Sequence, residues 1–268
     1  MGLVIDGIKF RENLNDISYK FEVNKITGIY GDNANYLLDI INGDYYDYDG
    51  EVLYDDELIE KDFYKKNPSL IGLIDSSCYF YTNKVEEEFK FNLGFRNIEV
   101  EDLDKVMKKY LNLVGLNLDY KDRYINTLSS SEKYLLLVAI NLCYEPKIVL
   151  FKDIFWGIDR NNRKNITTIV KNLREDDKII ILTHKDTNIL YELVDDVILL
   201  DGNTLYKSGF SDKLFTSTDL MKENVIPMPY ITKVTYLAKN KKVKLSYKQL
   251  HKTMFYNGSF LSKPKTPI

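Results

Sequence analysis

Hydrophobic positions along the chain follow two periods, and their succession predicts an α/β protein. Short apolar runs separated by glycine or polar turns predict strands over residues 3–9, 17–23, 25–30, 51–54 and 69–74. From residue 147 onward, strand-like runs over 147–151, 178–183 and 197–200 alternate with helix-like stretches over 161–173 and 187–193. Because strands joined by helices pair in parallel, we expect a mostly parallel sheet with helices on its faces.

Four further stretches carry the 3.6-residue period of helices, over residues 35–42, 83–95, 101–114 and 131–143. The first is expected to end at Gly43, since glycine commonly terminates a helix. Serines precede the last of these helices, and Ser131 is a candidate for its N-cap. The elements thus divide into a strand-rich start, a helical middle and an alternating second half.

Charge is distributed unevenly along the chain. The net charge is −3, yet no Asp or Glu follows Glu223, and nine lysines lie between Lys233 and Lys265. Residues 224–268 therefore carry about +9 and the preceding residues about −12. A basic tail of this kind can contact anionic lipid, nucleic acid or an acidic protein face, or it can be a solvated surface. Pro227 and Pro229 mark the expected boundary before it.

The cysteines and the hydropathy indicate the cellular compartment in which the protein is expected. Cys78 and Cys143 lie far apart, show no metal-ligand spacing and are expected to be free thiols of a reducing compartment. The first residues lack the basic segment and long apolar run of a signal peptide. No stretch approaches the roughly 18 apolar residues of a membrane-spanning helix. If the protein acts at a membrane, it is therefore expected to act from the cytosolic side.

A phosphate-binding loop is suggested by residues 26–38, although its functional side chains are missing. An apolar strand runs into Gly31 and a helical stretch begins near Asn35, as in the pattern G-x-x-x-x-G-K-[ST], whose backbone N–H groups and lysine hold phosphates. The second glycine, the lysine and the Ser/Thr are all absent. Taken alone, Gly31, Asp32 and Asn33 form an ordinary turn, and only the later motifs argue for more.

Those later motifs occur in a recognisable order. They are residues 50–52 (GEV), 71–74 (IGLI), 128–133 (LSSSEK), 148–159 (IVLFKDIFWGID), 180–184 (IILTH) and 195–202 (DDVILLDG). In this order the chain resembles the ATPase subunits of ABC transporters over nearly its whole length. Its middle is most similar to the energy-coupling-factor (ECF) group, which powers micronutrient uptake, at residues 80–88, 113–116 and 122–124.

The resemblance implies a fold and a domain organisation. It implies an α/β, P-loop NTPase-like nucleotide-binding domain over residues 1–226, with a helical subdomain at about 75–145. A short, basic helical extension is expected over residues 227–268.

The resemblance also assigns residues to the chain's own nucleotide site, several of them altered. Lys152 stands where an aspartate holds Mg²⁺, and it is expected to mimic the charge of the metal, to pair with Asp32 or Asp153, or to reflect simple decay. Asp153 and His184 stand at the catalytic glutamate and the switch histidine, as remnant positions without activity. Ser76 falls at the glutamine of the Q-loop, and Phe10 or Glu12 at the adenine-stacking aromatic. The degenerate P-loop comprises Gly31, Asp32, Asn33 and Asn35.

Other residues would face a partner subunit, because each ABC site is shared between two chains. Ser129, Ser130 and Ser131 replace the signature motif and point toward the partner's nucleotide, with Ser129 keeping the family's serine. Asp159 is the expected dimer-interface residue. Trp156, the only tryptophan, either fills space left by ATP or anchors a partner.

The function expected from the resemblance is a degenerate ATP-binding subunit of an ECF-type importer, peripheral on the cytosolic face of the membrane. It would pair with an intact ATPase subunit and a transmembrane component and hydrolyse little or nothing alone. ATP and Mg²⁺ are expected only at a site shared with that partner, with none at its own P-loop and no other metal site. A homodimer is left open, and nucleic acid is not an expected partner.

Two alternatives remain at this point. One is a regulatory or binding module that uses the ABC dimer surface without nucleotide or transport. The other is a true ATPase with an unorthodox P-loop, in which Asn33, Asn35 or a remote lysine replaces the missing groups.

Overall fold

The computed structural model describes residues 2–75, 77, 80–217, 219–220 and 226–232. Predictions for Ser76, Cys78 and most of the basic tail, including its end at 263–268, lie outside these residues. The element boundaries and contacts below refer to the described part of the chain.

A six-stranded sheet forms the centre of the molecule and confirms the predicted parallel pairing. Its strand order is β10-β9-β3-β8-β7-β6, parallel throughout except for the antiparallel edge strand β10. Its strands are β3 (Lys25–Tyr30), β6 (Ile71–Asp75), β7 (Ile148–Lys152), β8 (Ile179–Thr183), β9 (Asp196–Asp201) and β10 (Thr204–Phe210).

A second, antiparallel sheet was not predicted as a separate unit. It has the order β2-β1-β4-β5 and contains β1 (Gly2–Phe10), β2 (Leu14–Glu22), β4 (Asp49–Tyr54) and β5 (Glu57–Leu58). The strands β1, β2 and β4 were predicted individually. Their pairing was not, because β1 and β4 are joined across β2, β3 and a helix, and hydrophobic period alone does not encode such contacts.

The helices lie close to the predicted positions, apart from two short ones that sequence reasoning missed. Three of them, α3 to α5, lie between β6 and β7, where the helical subdomain is expected. The helices are α1 (Ala34–Asn42), α2 (Lys61–Lys66), α3 (Val85–Phe95), α4 (Leu103–Leu113), α5 (Ser130–Leu142), α6 (Arg160–Leu173), α7 (Thr187–Leu193) and α8 (Ser211–Leu214). The missed helices are α2 and α8.

The central sheet is buried on both faces, which explains the continuous apolar runs of its strands. On one face, residues such as Ile26, Val149 and Ile180 belong to a cluster shared with the helices α3 to α7. On the other face, Leu150 and Ile181 belong to a cluster shared with α1 and the antiparallel sheet. The helix α1 is therefore clamped between the two sheets.

The described end of the chain lies against α7. Thr187 Oγ1 donates to the carbonyl of Pro227 at 2.7 Å, and the N–H of Tyr230 donates to Asn188 Oδ1 at 2.7 Å. The division into domains at residue 226 stays a prediction.

Gly31 is held by packing against the neighbouring strand. Its φ of +144° is one that L side chains rarely adopt, and a Cβ there would lie 2.7 Å from Leu200 Cβ on β9. Gly202 also has a positive φ, +58°, but no atom lies within 4 Å of an added Cβ. A side chain at either glycine would therefore strain the backbone, but only a side chain at Gly31 would also clash with a neighbouring strand.

We expect Gly31→Ala to lower the free energy of unfolding by about 2–4 kcal/mol, because it adds overpacking to backbone strain. The matched control, Gly202→Ala, is expected to cost about 1 kcal/mol from strain alone. Urea denaturation of the two variants measures the difference. Equal losses would contradict the packing of Gly31 against β9.

Candidate functional site

The candidate site lies where the carboxyl ends of β3, β8 and β7 meet. These strands are adjacent and parallel, so the residues that follow them share one edge of the sheet, the usual position of ligand sites in α/β folds. This edge brings together the loop before α1, the Lys152-Asp153 pair and the Thr183-His184 pair. The sequence prediction that these segments form one site is consistent with this placement.

The loop between β3 and α1 contains only Gly31, Asp32 and Asn33. It closes tightly, since the N–H of Ala34 donates to the carbonyl of Gly31 at 3.3 Å. Asn33 Nδ2 donates to the carbonyl of Gly202 at 3.2 Å, and Asp32 is 91% exposed with Lys185 Nζ at 3.5 Å. This loop has neither the length nor the lysine of the G-x-x-x-x-G-K-[ST] pattern.

Asn35, Asp153 and Thr183 form a closed set of hydrogen bonds across three elements. Asn35 Nδ2 donates to Asp153 Oδ2 at 2.7 Å, and Thr183 Oγ1 donates to Asn35 Oδ1 at 2.6 Å. The N–H of Asp153 in turn donates to Thr183 Oγ1 at 2.8 Å. Asp153 adopts a left-handed φ of +47° in this arrangement. Sequence reasoning missed Thr183, whose signal was its place directly before His184.

Lys152 is held between two carboxylates that sequence reasoning did not select as its partners. Its Nζ lies 2.7 Å from Asp39 Oδ1 on α1 and 3.3 Å from Asp75 Oδ2 at the end of β6. We call these three residues the Lys152 bridge. The predicted pairing with Asp32 or Asp153 is wrong, because Asp32 faces solvent near Lys185 and Asp153 accepts from Asn35.

The pKa values within the Lys152 bridge reflect burial opposed by pairing. Burial lowers the pKa of Lys152, but the hydrogen bond and charge of Asp39, with the charge of Asp75, outweigh it and leave the pKa above its ordinary value. The pKa of Asp39 is also raised, mainly by burial, which the bond from Lys152 opposes without cancelling. The ammonium is therefore a stable positive charge at neutral pH.

His184 follows β8 directly and is partly buried. Its Nδ1 accepts a hydrogen bond from the N–H of Asp186 at 2.8 Å, which places the proton of the neutral ring on Nε2. Burial lowers the pKa of His184, and the charges of Asp186 and Asp153 oppose this shift only in part. The ring is thus a neutral imidazole at physiological pH.

The expected adenine platform is not available at Phe10. The ring is fully buried, with the ring centroids of Tyr45 and Tyr36 at 4.8 and 5.6 Å and the Arg11 guanidinium 4.6 Å from its centre. Glu12, the other candidate, lies in the exposed turn between β1 and β2. The chain's own tyrosines therefore occupy the surroundings in which Phe10 would meet a base.

Ser129, not Ser131, caps α5, which corrects the expected cap. Ser129 and Glu132 form a capping box: the N–H of Glu132 donates to Ser129 Oγ at 3.3 Å, and the N–H of Ser129 donates to Glu132 Oε2 at 2.8 Å. Tyr120 donates to Glu132 Oε1 at 2.6 Å, and these bonds hold the pKa of Glu132 below its usual value. Ser131 lies inside the helix, and Ser130 is exposed beside it.

Asp159 joins the starts of two helices. Its carboxylate caps α6 by accepting from the N–H groups of Asn161 and Asn162 at 2.9 and 3.1 Å, while its own N–H donates to Ser131 Oγ at 3.2 Å. The bonds from Asn162 and the other donors lower the pKa of Asp159 to about 2. Its role at a dimer interface stays a prediction.

Trp156 does not fill space within the site, because its side chain is 72% exposed. It stands at the rim of a cleft of about 520 Å³ between α5 and the segment before α3. Further aromatic surface lies on that segment and on α3: Tyr81 and Phe95 are 76% and 68% exposed, and both stack on Phe91. Contiguous exposed apolar patches often serve as contact surfaces in proteins, so these rings are a candidate for one.

The donor set at the sheet edge fits magnesium triphosphate poorly. The loop lacks the lysine that faces the β- and γ-phosphates, and Lys152 presents a cation where a metal would need a carboxylate. The amide and carboxylate of Asn35 and Asp153 are bonded to each other. Among the described residues, no group of three or more His, Cys, Asp or Glu side chains is placed to hold a metal ion. No described helix has the length and apolarity to cross a bilayer.

The burial of His184 predicts a pH dependence of stability. Its folded pKa lies below the unfolded value, so the unfolded chain binds more protons near pH 6. The free energy of unfolding should therefore fall as the pH is lowered through the ordinary histidine range, and His184→Asn should reduce that fall. Denaturation at a series of pH values measures this dependence, and proton NMR titration compares the pKa of His184 with that of a histidine in an unstructured peptide. A His184 signal that titrates with or above an unperturbed histidine would contradict the prediction.

Comparison with known proteins agrees with this geometry. The family model described as ABC transporter matches residues 14–153, which is more than half of the chain. The energy-coupling factor transporter ATP-binding protein EcfA1 of Mycoplasma mobile is 26% identical over 85% of this chain and 84% of its own. The corresponding EcfA2 of Mycoplasmoides gallisepticum is 25% identical over 58% of this chain and 48% of its own length.

Solved structures share the fold. The structure of CbiO1 from Clostridium perfringens, described as part of the ABC transporter complex CbiONQ, superposes with a TM-score of 0.70 at 19% identity. That match covers 87% of this chain and 98% of CbiO1. The fold and the resemblance expected from the motif order are confirmed, and the chain belongs to the ABC transporter family as one of its ATPase-fold domains.

Proposed function

We propose that this chain is an ATP-binding subunit of an ECF-type importer that does not hydrolyse ATP at its own P-loop. It pairs with an active ATPase subunit, whose site it completes through the Ser129 region. The observation that carries the proposal is the Lys152 bridge, in which an ammonium stands in the position of a metal-holding carboxylate. The ECF names of the curated relatives support the transporter class.

Several contacts support an inactive own site. A triphosphate needs backbone donors, a lysine and a metal to balance its charge, and the three-residue loop offers only a short turn next to the exposed Asp32. Asn35 occupies Oδ2 of Asp153, and the N–H of Asp186 occupies Nδ1 of the neutral His184, so only the remaining Asp153 oxygen and the Nε2–H of His184 could contact a water. Lys152 would also repel a divalent ion at close range.

The start of α5 supports a role toward a partner's nucleotide. The capping box leaves the helix N-terminus formed, and such a terminus favours an anion. Ser129 and Ser130 are both exposed there. Because an ABC site takes its signature from the opposite subunit, this chain contributes to a site that it does not itself contain.

A membrane component would dock on the aromatic surface formed by Tyr81, Phe91 and Phe95. These rings are exposed and stacked, and they lie on α3 and the segment leading into it. The resemblance to ABC ATPase subunits places the contact with a membrane component around residues 79–91, and the aromatic surface overlaps this stretch. The chain would therefore bind peripherally to the cytosolic face of the membrane through its partner.

Isothermal titration of the purified chain with Mg-ATP and with a non-hydrolysable analogue is expected to give no binding heat. Binding at micromolar concentrations would contradict the proposal. It would favour instead an unorthodox P-loop in which Asn33 or Asn35 replaces the missing groups. A thermal melt of the same sample checks that the chain is folded.

We expect Ser129→Arg to lower the ATPase activity of the chain reconstituted with its intact partner by about 10²-fold, the loss typical for one removed transition-state donor. Ser208→Arg introduces the same side chain on the exposed face of β10 and serves as the control. Unchanged turnover in the Ser129→Arg complex would contradict the shared site. Dimer formation is measured in parallel by size-exclusion chromatography, because loss of the cap alone weakens α5.

A further inference from the structure

The Lys152 bridge joins three elements that a ligand would otherwise have to connect. Asp39 belongs to α1, Lys152 ends β7, and Asp75 ends β6. Asp75 and Lys152 are direct partners in the parallel register of β6 and β7, so their side chains emerge at the same level of the sheet. The ammonium thus ties the helix after the P-loop position to the edge strand of the central sheet.

The bridge continues into the turn after β6. Asp75 uses Oδ2 for Lys152, and its Oδ1 accepts from the N–H and the hydroxyl of Ser77 at 2.8 and 2.7 Å. The exposed aromatic side chain of Tyr81 follows only a few residues later. A connected set of polar contacts therefore runs from Asp39 on α1 through Lys152 and Asp75 to Ser77.

The charges show why the ammonium is required. Both carboxylates are largely buried, with side-chain exposures of 12% for Asp39 and 10% for Asp75, and Asp44 adds its negative charge near Asp39. Removing one partner of a buried ion pair is strongly destabilising, because the other charge stays without compensation. One lysine neutralises only part of the negative charge of these three carboxylates. The space between Asp39 and Asp75 therefore favours a cation whether or not a ligand is bound.

We propose that the Lys152 bridge is a built-in clamp that takes the place of the metal and nucleotide and fixes α1 to β6 and β7 without any ligand. The clamp keeps α1 and the ends of β6 and β7 in one arrangement, independent of nucleotide. The inference does not depend on transport or on a partner, since it concerns contacts within this chain alone.

Hydrogen–deuterium exchange of the full chain tests the clamp. In Lys152→Met we expect exchange to rise by about tenfold in α1 and in residues 71–77, with no change in α6, which contributes no residue to the bridge. The melting temperature should fall by roughly 10 °C. Unchanged exchange in α1 and 71–77 would overturn the clamp.

Two further variants keep the test decisive if Lys152→Met fails to fold. Lys152→Met with Asp39→Leu removes the unpaired carboxylate on α1, so it should melt at a higher temperature than Lys152→Met and still show fast exchange in 71–77. Asp75→Asn keeps the Lys152–Asp39 pair and should raise exchange after β6 while α1 stays protected. If exchange changed equally in α1 and in residues 71–77 in both variants, the result would contradict a clamp in which Lys152 holds α1 and β6 through two separate ion pairs.

A metal measurement tests whether the ammonium acts as the resident cation. Lys152→Ala leaves both carboxylates facing the vacated space. Mn²⁺ at millimolar concentration should therefore raise the melting temperature of this variant, and the electron paramagnetic resonance signal of free Mn²⁺ should decrease as the ion binds. The wild type and the Lys152→Ala, Asp39→Asn double variant should show neither effect. Failure of Lys152→Ala to respond would overturn the cation role of Lys152, whereas binding of Mg-ATP by the wild type would contradict the proposed function and leave this result intact.

Discussion

A partly buried ammonium between two carboxylates determines what the carboxyl edge of this sheet can do. An uncompensated charge in that position would cost several kcal/mol, so Asp39 and Asp75 require a cation at all times. Lys152 provides it from within the chain, and the parallel register of β6 and β7 holds it at the right level. Nucleotide enzymes of this fold class need the opposite sign there, because a carboxylate must hold the metal. The inactive site in the proposed function follows from this reversal of charge.

Much of the fold could be predicted from the sequence, because strands that are buried on both faces consist of continuous runs of apolar residues. The bounds of β3 and α7 agree with prediction, and Gly43 ends α1 with a left-handed φ of +82°. The separate antiparallel sheet escaped prediction, since β1 pairs with β4 over a long stretch of chain. Period reports which residues are buried, but it does not report which strands are neighbours.

The residues selected from the sequence lie together at one edge of the sheet, but their hydrogen-bond and ion-pair partners were not predicted. Gly31, Asn35, Asp153 and His184 meet at one edge because parallel strands end together, which motif order alone implies. The partner of Lys152 depends on the rotation of α1 about its axis, which places Asp39 inward. A signal was present in the sequence, since Asp39 interrupts an otherwise apolar run of leucine and isoleucine.

The polar groups at the carboxyl edge of the sheet and those at the start of α5 are satisfied in different ways, and the proposed function gives the two places different roles. At the chain's own site, Asn35, Asp153 and Thr183 bond to one another and Lys152 bonds to carboxylates, so few polar groups remain for a ligand. At the start of α5, the capping box uses side chains to satisfy the helix end and leaves Ser130 exposed beside it. The capping box by itself stabilises α5, because it satisfies N–H groups at the start of the helix. In the proposed function, the exposed Ser129 and Ser130 at that helix end are the groups that would face a partner's nucleotide, whereas the polar groups of the chain's own site are bonded to one another.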